Sequence, residues 1–188
     1  QYIDAIQLYD GEEPIFDAHG IEMEIERSLD KKVWLKSGGY LVIDQTEALT
    51  AVDINTGKFV GKHTLEDTIL QINLEAVREI VYQLKLRNIG GLIIIDFIDM
   101  EKPAHREKVF NALEDALKKD KAKTHILQIS EFGLIEMTRQ RNRGSLMQTI
   151  FTSCPYCHGS GMIKTHESTS IEVERALKKI INCQQQFA

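Results

Sequence analysis

The spacing of apolar side chains changes period several times along the chain, and each change predicts an element. Ile21, Ile25 and Leu29 recur every fourth residue, which predicts a short helix. Val33-Trp34-Leu35 and Tyr40-Leu41-Val42-Ile43, linked through Ser37-Gly38-Gly39, predict a hairpin, and Leu49 to Ile54 predicts a third strand. Residues 64–87 turn to helical period. Thr64 and Asp67 resemble a capping box, Ile69, Ile72, Ala76, Ile80 and Leu84 form one stripe, and Gly90-Gly91 ends it. The unbroken run Leu92-Ile93-Ile94-Ile95 predicts a buried strand. Pro103 opens a second helix with Val109, Phe110, Leu113, Ala116 and Leu117 on one side, and Thr124 to Ser130 predicts a further strand. Arg139 to Gly144 is basic and irregular. Thr169, with Glu172 three residues on, predicts the start of a last helix faced by Val173, Ala176, Leu177, Ile180 and Ile181. With no partner for it in this chain, that face is expected to pack on another domain or subunit.

Alternating strands and helices predict an α/β fold, a mixed sheet layered with helices and built on parallel crossovers. A length of 188 residues supports one sizeable core with a small appendage. Hydrophobic residues at 43% and charged residues at 27% exclude disorder as the main state. No apolar run reaches the ~20 residues that span a bilayer, and no export signal opens the chain. Because the first residue is Gln1, the chain is expected to be a piece of a longer protein. Three cysteines make no disulfide framework, which fits a reducing, cytoplasmic setting. The formal net charge of -5 argues against nucleic-acid binding by bulk positive charge, so local charge decides.

Two acids stand inside apolar strands, in Ala51-Val52-Asp53-Ile54-Asn55 and Ile93-Ile94-Ile95-Asp96-Phe97. An ionised carboxylate there is costly unless something pairs with it. Strand alternation puts Asp53 and Asn55 on one face, whereas Asp96 and Asp99 point to opposite faces if the strand stays regular. Magnesium is held by one or two carboxylates, waters and phosphate oxygens, which matches one Asp from each of two strands with a neutral amide in support. Such an ion activates water for phosphodiester hydrolysis. The competing reading has each acid capping a loop or bonding backbone amides at a strand end. Asp44 and Glu47 read as supporting or structural.

Cys154-Pro155-Tyr156-Cys157-His158-Gly159-Ser160-Gly161 supplies half of a tetrahedral zinc site. Cys183 lies in the predicted last helix without a neighbouring ligand, and His158 or His166 would break the usual pattern. Two copies of the motif complete four thiolates most simply, which implies a twofold homodimer sharing Zn2+ through Cys154 and Cys157. Cys-Pro-Tyr-Cys is also the glutaredoxin active-site string, so thiol oxidoreductase chemistry and an unligated pair remain open.

Several longer strings appear in a fixed order: Gly38-Gly39-Tyr40-Leu41-Val42-Ile43-Asp44, Thr46-Glu47-Ala48-Leu49-Thr50-Ala51-Val52-Asp53-Ile54-Asn55, Asn73-Leu74-Glu75-Ala76, Gly90 through Met100, and Phe132 through Arg141. Together they resemble the ribonuclease E/G family of bacterial endoribonucleases over nearly the whole chain. The resemblance implies that Asp53 and Asp96 bind catalytic Mg2+ with Asn55 orienting the site. It implies cleavage of single-stranded RNA to 5′-phosphate and 3′-hydroxyl ends. It also implies the end of a ribonuclease H-like subdomain over residues 1–28 and a deoxyribonuclease I-like catalytic subdomain over 29–150. The zinc link would cover 151–164, and a small assembly domain would begin at 165–188, allowing a tetramer. The family's oligonucleotide-binding barrel and 5′-end sensor have no counterpart in these residues. A basic residue that some members carry as Arg is Lys123 here, a point charge without the bidentate fork needed for strict 5′ sensing.

Lys118, Lys119, Lys121, Lys123 and His125 precede one strand, and Arg139, Arg141 and Arg143 follow it. Lys123, Arg139 and Arg141 are the expected RNA contacts, through phosphates. Aromatic stacking platforms for bases are not evident along the chain. The competing functional class is a non-catalytic RNA-docking and zinc-dependent dimerisation fragment.

Overall fold

Backbone pairing places six strands in one mixed sheet. The structure is a computed structural model that describes residues 6–57, 65–130, 132–141 and 143–185, with only the backbone for 183–185. The chain divides into two compact units, 1–150 and 151–188. In the first, the elements run α1 (Ile15–Ala18), α2 (Ile21–Leu29), β1 (Lys32–Trp34), β2 (Tyr40–Gln45), β3 (Leu49–Asn55), α3 (Leu65–Leu86), β4 (Gly91–Asp96), α4 (Pro103–Leu117), β5 (Thr124–Ile126), β6 (Leu134–Arg139) and α5 (Leu146–Ile150). The second holds a knuckle and α6 (His166–Gln185).

The sheet order is β1-β2-β3-β4-β6-β5. Strands β1, β2 and β3 form the expected antiparallel meander, and β3 pairs parallel with β4 across the α3 crossover. The second expected parallel crossover is displaced. Strand β6 inserts antiparallel between β4 and β5, so β5 runs parallel to β4 without touching it. The strand expected over 124–130 is regular only to Ile126, although the Leu127 and Ser130 amides still donate to the Glu136 and Leu134 carbonyls of β6. Along β6, Ile135, Met137 and Arg139 point inward while Glu136 and Thr138 stay exposed, a period of two masked by the inward arginine.

One sheet face carries the core. Leu41, Ile43, Val52, Ile54, Ile93, Ile95, Ile135 and Met137 are buried in one cluster with Ile72, Ala76, Ile80 and Leu84 of α3 and Val109, Leu113 and Leu117 of α4. Each fully buried aliphatic contributes about 1.5–3 kcal/mol, so this layer sets where the strands lie. The run Leu92 to Ile95 is not buried on both faces: Ile93 and Ile95 face the helices, while Leu92 is 41% exposed on the other side. That second face is open, and it carries Asp53 and Asp96.

Helix α4 begins at Pro103, which fits the first turn because it lacks the N–H that would stay unbonded there. The proposed cap of α3 at Thr64 lies outside the described residues. Helix α6 starts three residues before the expected Thr169. Thr165 Oγ1 accepts the Ser168 amide at 3.2 Å, and the Thr169 hydroxyl instead donates to the Thr165 carbonyl inside the helix. Its apolar residues Ile171, Val173, Leu177, Ile180 and Ile181 are exposed. No helix among the described residues is long and apolar enough to cross a membrane.

Candidate active site

Asp53 and Asp96 are register partners at the ends of the parallel pair β3 and β4. Strands lie about 4.8 Å apart, and paired residues of a parallel sheet share a face, so the two carboxyl groups stand side by side. Both residues are exposed on the open face. The Asn55 side-chain amide donates to Asp53 Oδ2 at 2.8 Å, from the same face. Partial burial, and then the charges of Asp53 and Asp99, hold the Asp96 carboxyl above the usual carboxylate range.

Among the described residues, no three or more His, Cys, Asp or Glu side chains gather into a protein-only metal cage. Two carboxylates suffice for magnesium, which keeps waters and takes phosphate oxygens as its other ligands. The pair therefore fits that ion and not one needing four protein ligands. Asp44, on the same face, is held by Lys31 Nζ at 3.0 Å, and Glu47 is exposed beyond the end of β2.

Two residues absent from the sequence-based candidates position this region. Asn73 is fully buried on α3, and its amide donates to the Ile98 carbonyl at 2.9 Å and accepts the Ile98 N–H at 3.1 Å. It pins the loop that leaves Asp96 and carries Asp99. Glu75, two residues on, accepts the Lys36 amide at 2.7 Å and the Ser37 amide at 3.3 Å, which fixes the β1–β2 turn. The signal was a buried Asn in an apolar stripe, where a polar group persists only if its bonds are met. Gly39 completes that turn, since a Cβ there would lie 2.9 Å from the Asn55 carbonyl oxygen.

The expected RNA-contact residues lie elsewhere. Arg139 pairs with Gly91 at the start of β4, and Asp96 pairs with Leu134 at its end. Five residues of strand separate them, roughly 17 Å. Arg139 is 7% exposed, and its guanidinium is fully engaged: Nε to Asp120 Oδ2 at 2.8 Å, Nη2 to Asp120 Oδ1 at 3.2 Å, and Nη1 to the Ile89 carbonyl at 2.6 Å. Within the chain this arginine holds the sheet's end together, and it also lines the surface depression beside Lys123. Burial raises the Asp120 carboxyl, but the bonds from Arg139 and the Ala122 amide outweigh it and hold it below its ordinary value. Arg141 is exposed and donates from Nε to the Gly90 carbonyl at 2.9 Å. Its guanidinium lies within 2.9 Å of where a Cβ on Gly91 would sit, at a φ of +97° that already favours glycine. Lys123 is exposed beside an open depression of about 380 Å³ lined also by His125, Thr138 and Gln140.

In the second unit, Cys154 and Cys157 are free thiols in one tight turn. The His158 amide donates to the Cys154 carbonyl at 2.8 Å and the Ser160 amide to the Cys157 carbonyl at 2.9 Å. Backbone N–H groups of Gly161 and Gly159, then the Cys154 side chain, draw the Cys157 thiol below its ordinary range. Amides aimed at a sulfur stabilise a thiolate, the form that binds zinc. No helix starts at this dithiol, since the next begins at His166. The side chain of Cys183 lies outside the described residues.

Comparison with known proteins agrees with the motifs. Residues 1–142 match the model of the Ribonuclease E/G family. Ribonuclease G of Salmonella typhimurium (strain SL1344) is 53% identical over 175 residues, 93% of this chain and 36% of the relative. Ribonuclease G of Escherichia coli (strain K12) is 52% identical over the same length, with the same coverage. Ribonuclease E of Haemophilus influenzae (strain ATCC 51907 / DSM 11121 / KW20 / Rd) is 45% identical over 178 residues, 95% of this chain and 19% of the relative. The chain thus spans about a third of the ribonuclease G relatives and a fifth of that ribonuclease E. The ordered strings and the extent of identity lead to one assignment: the chain belongs to the ribonuclease E/G family.

Proposed function

We propose that this chain is the catalytic portion of a magnesium-dependent endoribonuclease that hydrolyses single-stranded RNA and leaves 5′-phosphate and 3′-hydroxyl ends. One observation carries the reading: Asp53 and Asp96 stand in register on an open sheet face, with Asn55 bonded to Asp53. Asp53 and Asp96 would hold Mg2+, which polarises a phosphate oxygen and lowers the pKa of water when bound. Asn55 fixes the orientation of the Asp53 carboxylate. Asn73 fixes the strand exit that carries Asp96.

The proposal extends to organisation. Residues 29–150 form a deoxyribonuclease I-like catalytic subdomain after the end of a ribonuclease H-like subdomain at 1–28. Residues 151–164 form a zinc link in which Cys154 and Cys157 of two protomers share one Zn2+, and 165–188 begin a small assembly domain. The setting is the cytoplasm. Lys123 and Arg141 contact RNA phosphates away from the reacting bond.

The test belongs in the full-length protein, with a short unstructured RNA. Asp53→Asn and Asp96→Asn are each expected to lower magnesium-stimulated cleavage about a thousandfold, the scale of several kcal/mol from a lost metal site. Chelator should do the same to the unmodified protein. Near-normal cleavage by either variant would remove the assigned roles and leave an RNA-docking and dimerisation fragment as the reading. Elemental analysis should find one zinc per two chains, lost in Cys157→Ser.

A further inference from the structure

The open sheet face holds an aromatic cluster in line with the acids. Trp34 pairs in register with Tyr40, and Tyr40 with Asn55, so one row crosses β1, β2 and β3 and ends beside Asp53. The Trp34 and Tyr40 ring centroids are 5.3 Å apart, with planes tilted by 59°. Lys32 Nζ sits 3.6 Å from the Tyr40 centroid and 4.2 Å from that of Trp34. Trp34 nonetheless remains 64% exposed. Among the described residues, no carboxylate forms an ion pair with Lys32.

We propose that Trp34, Tyr40 and Lys32 form a subsite of the nuclease site, in which a base flanking the scissile linkage stacks on Trp34 and Lys32 meets its phosphate. The inference rests on the endoribonuclease reading above. Two strand spacings across and one residue pair along the strands put Trp34 roughly 12 Å from Asp53, within the reach of a neighbouring nucleotide. Two adjacent acids repel a polyphosphate chain, so a cation on the same face is needed to seat it, and Lys32 supplies one. The turn that follows Trp34 is anchored, because Glu75 bonds both the Lys36 and Ser37 amides. A preorganised, exposed ring stacks on any base without needing a hydrogen-bond code. A cross-strand aromatic pair also stabilises a hairpin, by about 0.5–1.5 kcal/mol, but that role does not require the indole to face solvent.

Trp34 is the only tryptophan in this 188-residue chain, so its fluorescence reports on this site alone. Titrating the Asp53→Asn chain with a short oligoadenylate should quench and shift the emission, whereas an abasic oligonucleotide of equal length should not. In the full-length protein, Trp34→Ala should raise KM about tenfold with kcat nearly unchanged, and Trp34→Phe should recover most of the loss, since stacking on one base is worth that factor. Lys32→Ala should raise KM and flatten its salt dependence. Quenching of Trp34 together with no magnesium-stimulated cleavage by the unmodified full-length protein would sink the nuclease reading and keep the stacking site. Oligoadenylate that binds without touching Trp34 fluorescence would overturn the subsite. So would a normal KM in Trp34→Ala, or a change of oligomeric state in its place, which would mark a protein contact.

Discussion

The two ends of the central sheet handle charge in opposite ways. At one end, Arg139 and Asp120 are buried together, joined by two hydrogen bonds, with the remaining guanidinium nitrogen on a backbone carbonyl. At the other, Asp53 and Asp96 stand side by side in the open, and partial burial, then the charge of Asp53, makes Asp96 harder to ionise. The first arrangement stabilises the fold, whereas the second gains no such partner from Arg or Lys among the ion pairs of the described residues.

Substitutions can break this contrast. The largest effect is expected at the open end, where Asp53→Asn removes cleavage yet leaves the protein as stable as before, or a few tenths of a kcal/mol more so, by relief of repulsion. Equal losses of stability and cleavage in that variant would refute the contrast. At the closed end, Asp120→Asn strands a buried guanidinium and should cost about 3 kcal/mol, read from denaturant midpoints, while cleavage below the melting temperature remains. The Asp120 carboxyl is depressed in the folded state, so its contribution is present above the ordinary value of 3.8 and disappears as pH falls through the folded value. The acid limb of stability against pH should accordingly be shallower in Asp120→Asn. The smallest effect is expected from Lys123→Ala: weaker RNA binding by a few-fold and a salt slope reduced by about one. A loss as large as that of Asp53→Asn would place the reacting phosphate at the wrong end of the sheet.

The sequence made the acids legible because a carboxylate inside an aliphatic strand violates the local pattern, and violations point to sites. The meander, α3 and α4 were legible for the opposite reason, since their apolar periods are unbroken. Strand β6 was not: Arg139 occupies an inward position, and an arginine reads as a surface residue until Asp120 is known to meet it. Trp34 and Tyr40 escaped notice because their partnership is made by register between strands, which no linear spacing displays. Asn73 lies within one of the ordered strings, but only the position of the Ile98 backbone reveals what it holds.

Helix α3 links β3 to β4 and grips a separate loop with each of Asn73 and Glu75. Two residues on a helix are about 200° apart, so the two grips point to different flanks. Adding or deleting a single residue upstream within the helix would rotate both by about 100° and release the Trp34 turn and the Asp96 exit together. The helix thus works as a gauge, and evolution can vary its surface freely but not its count.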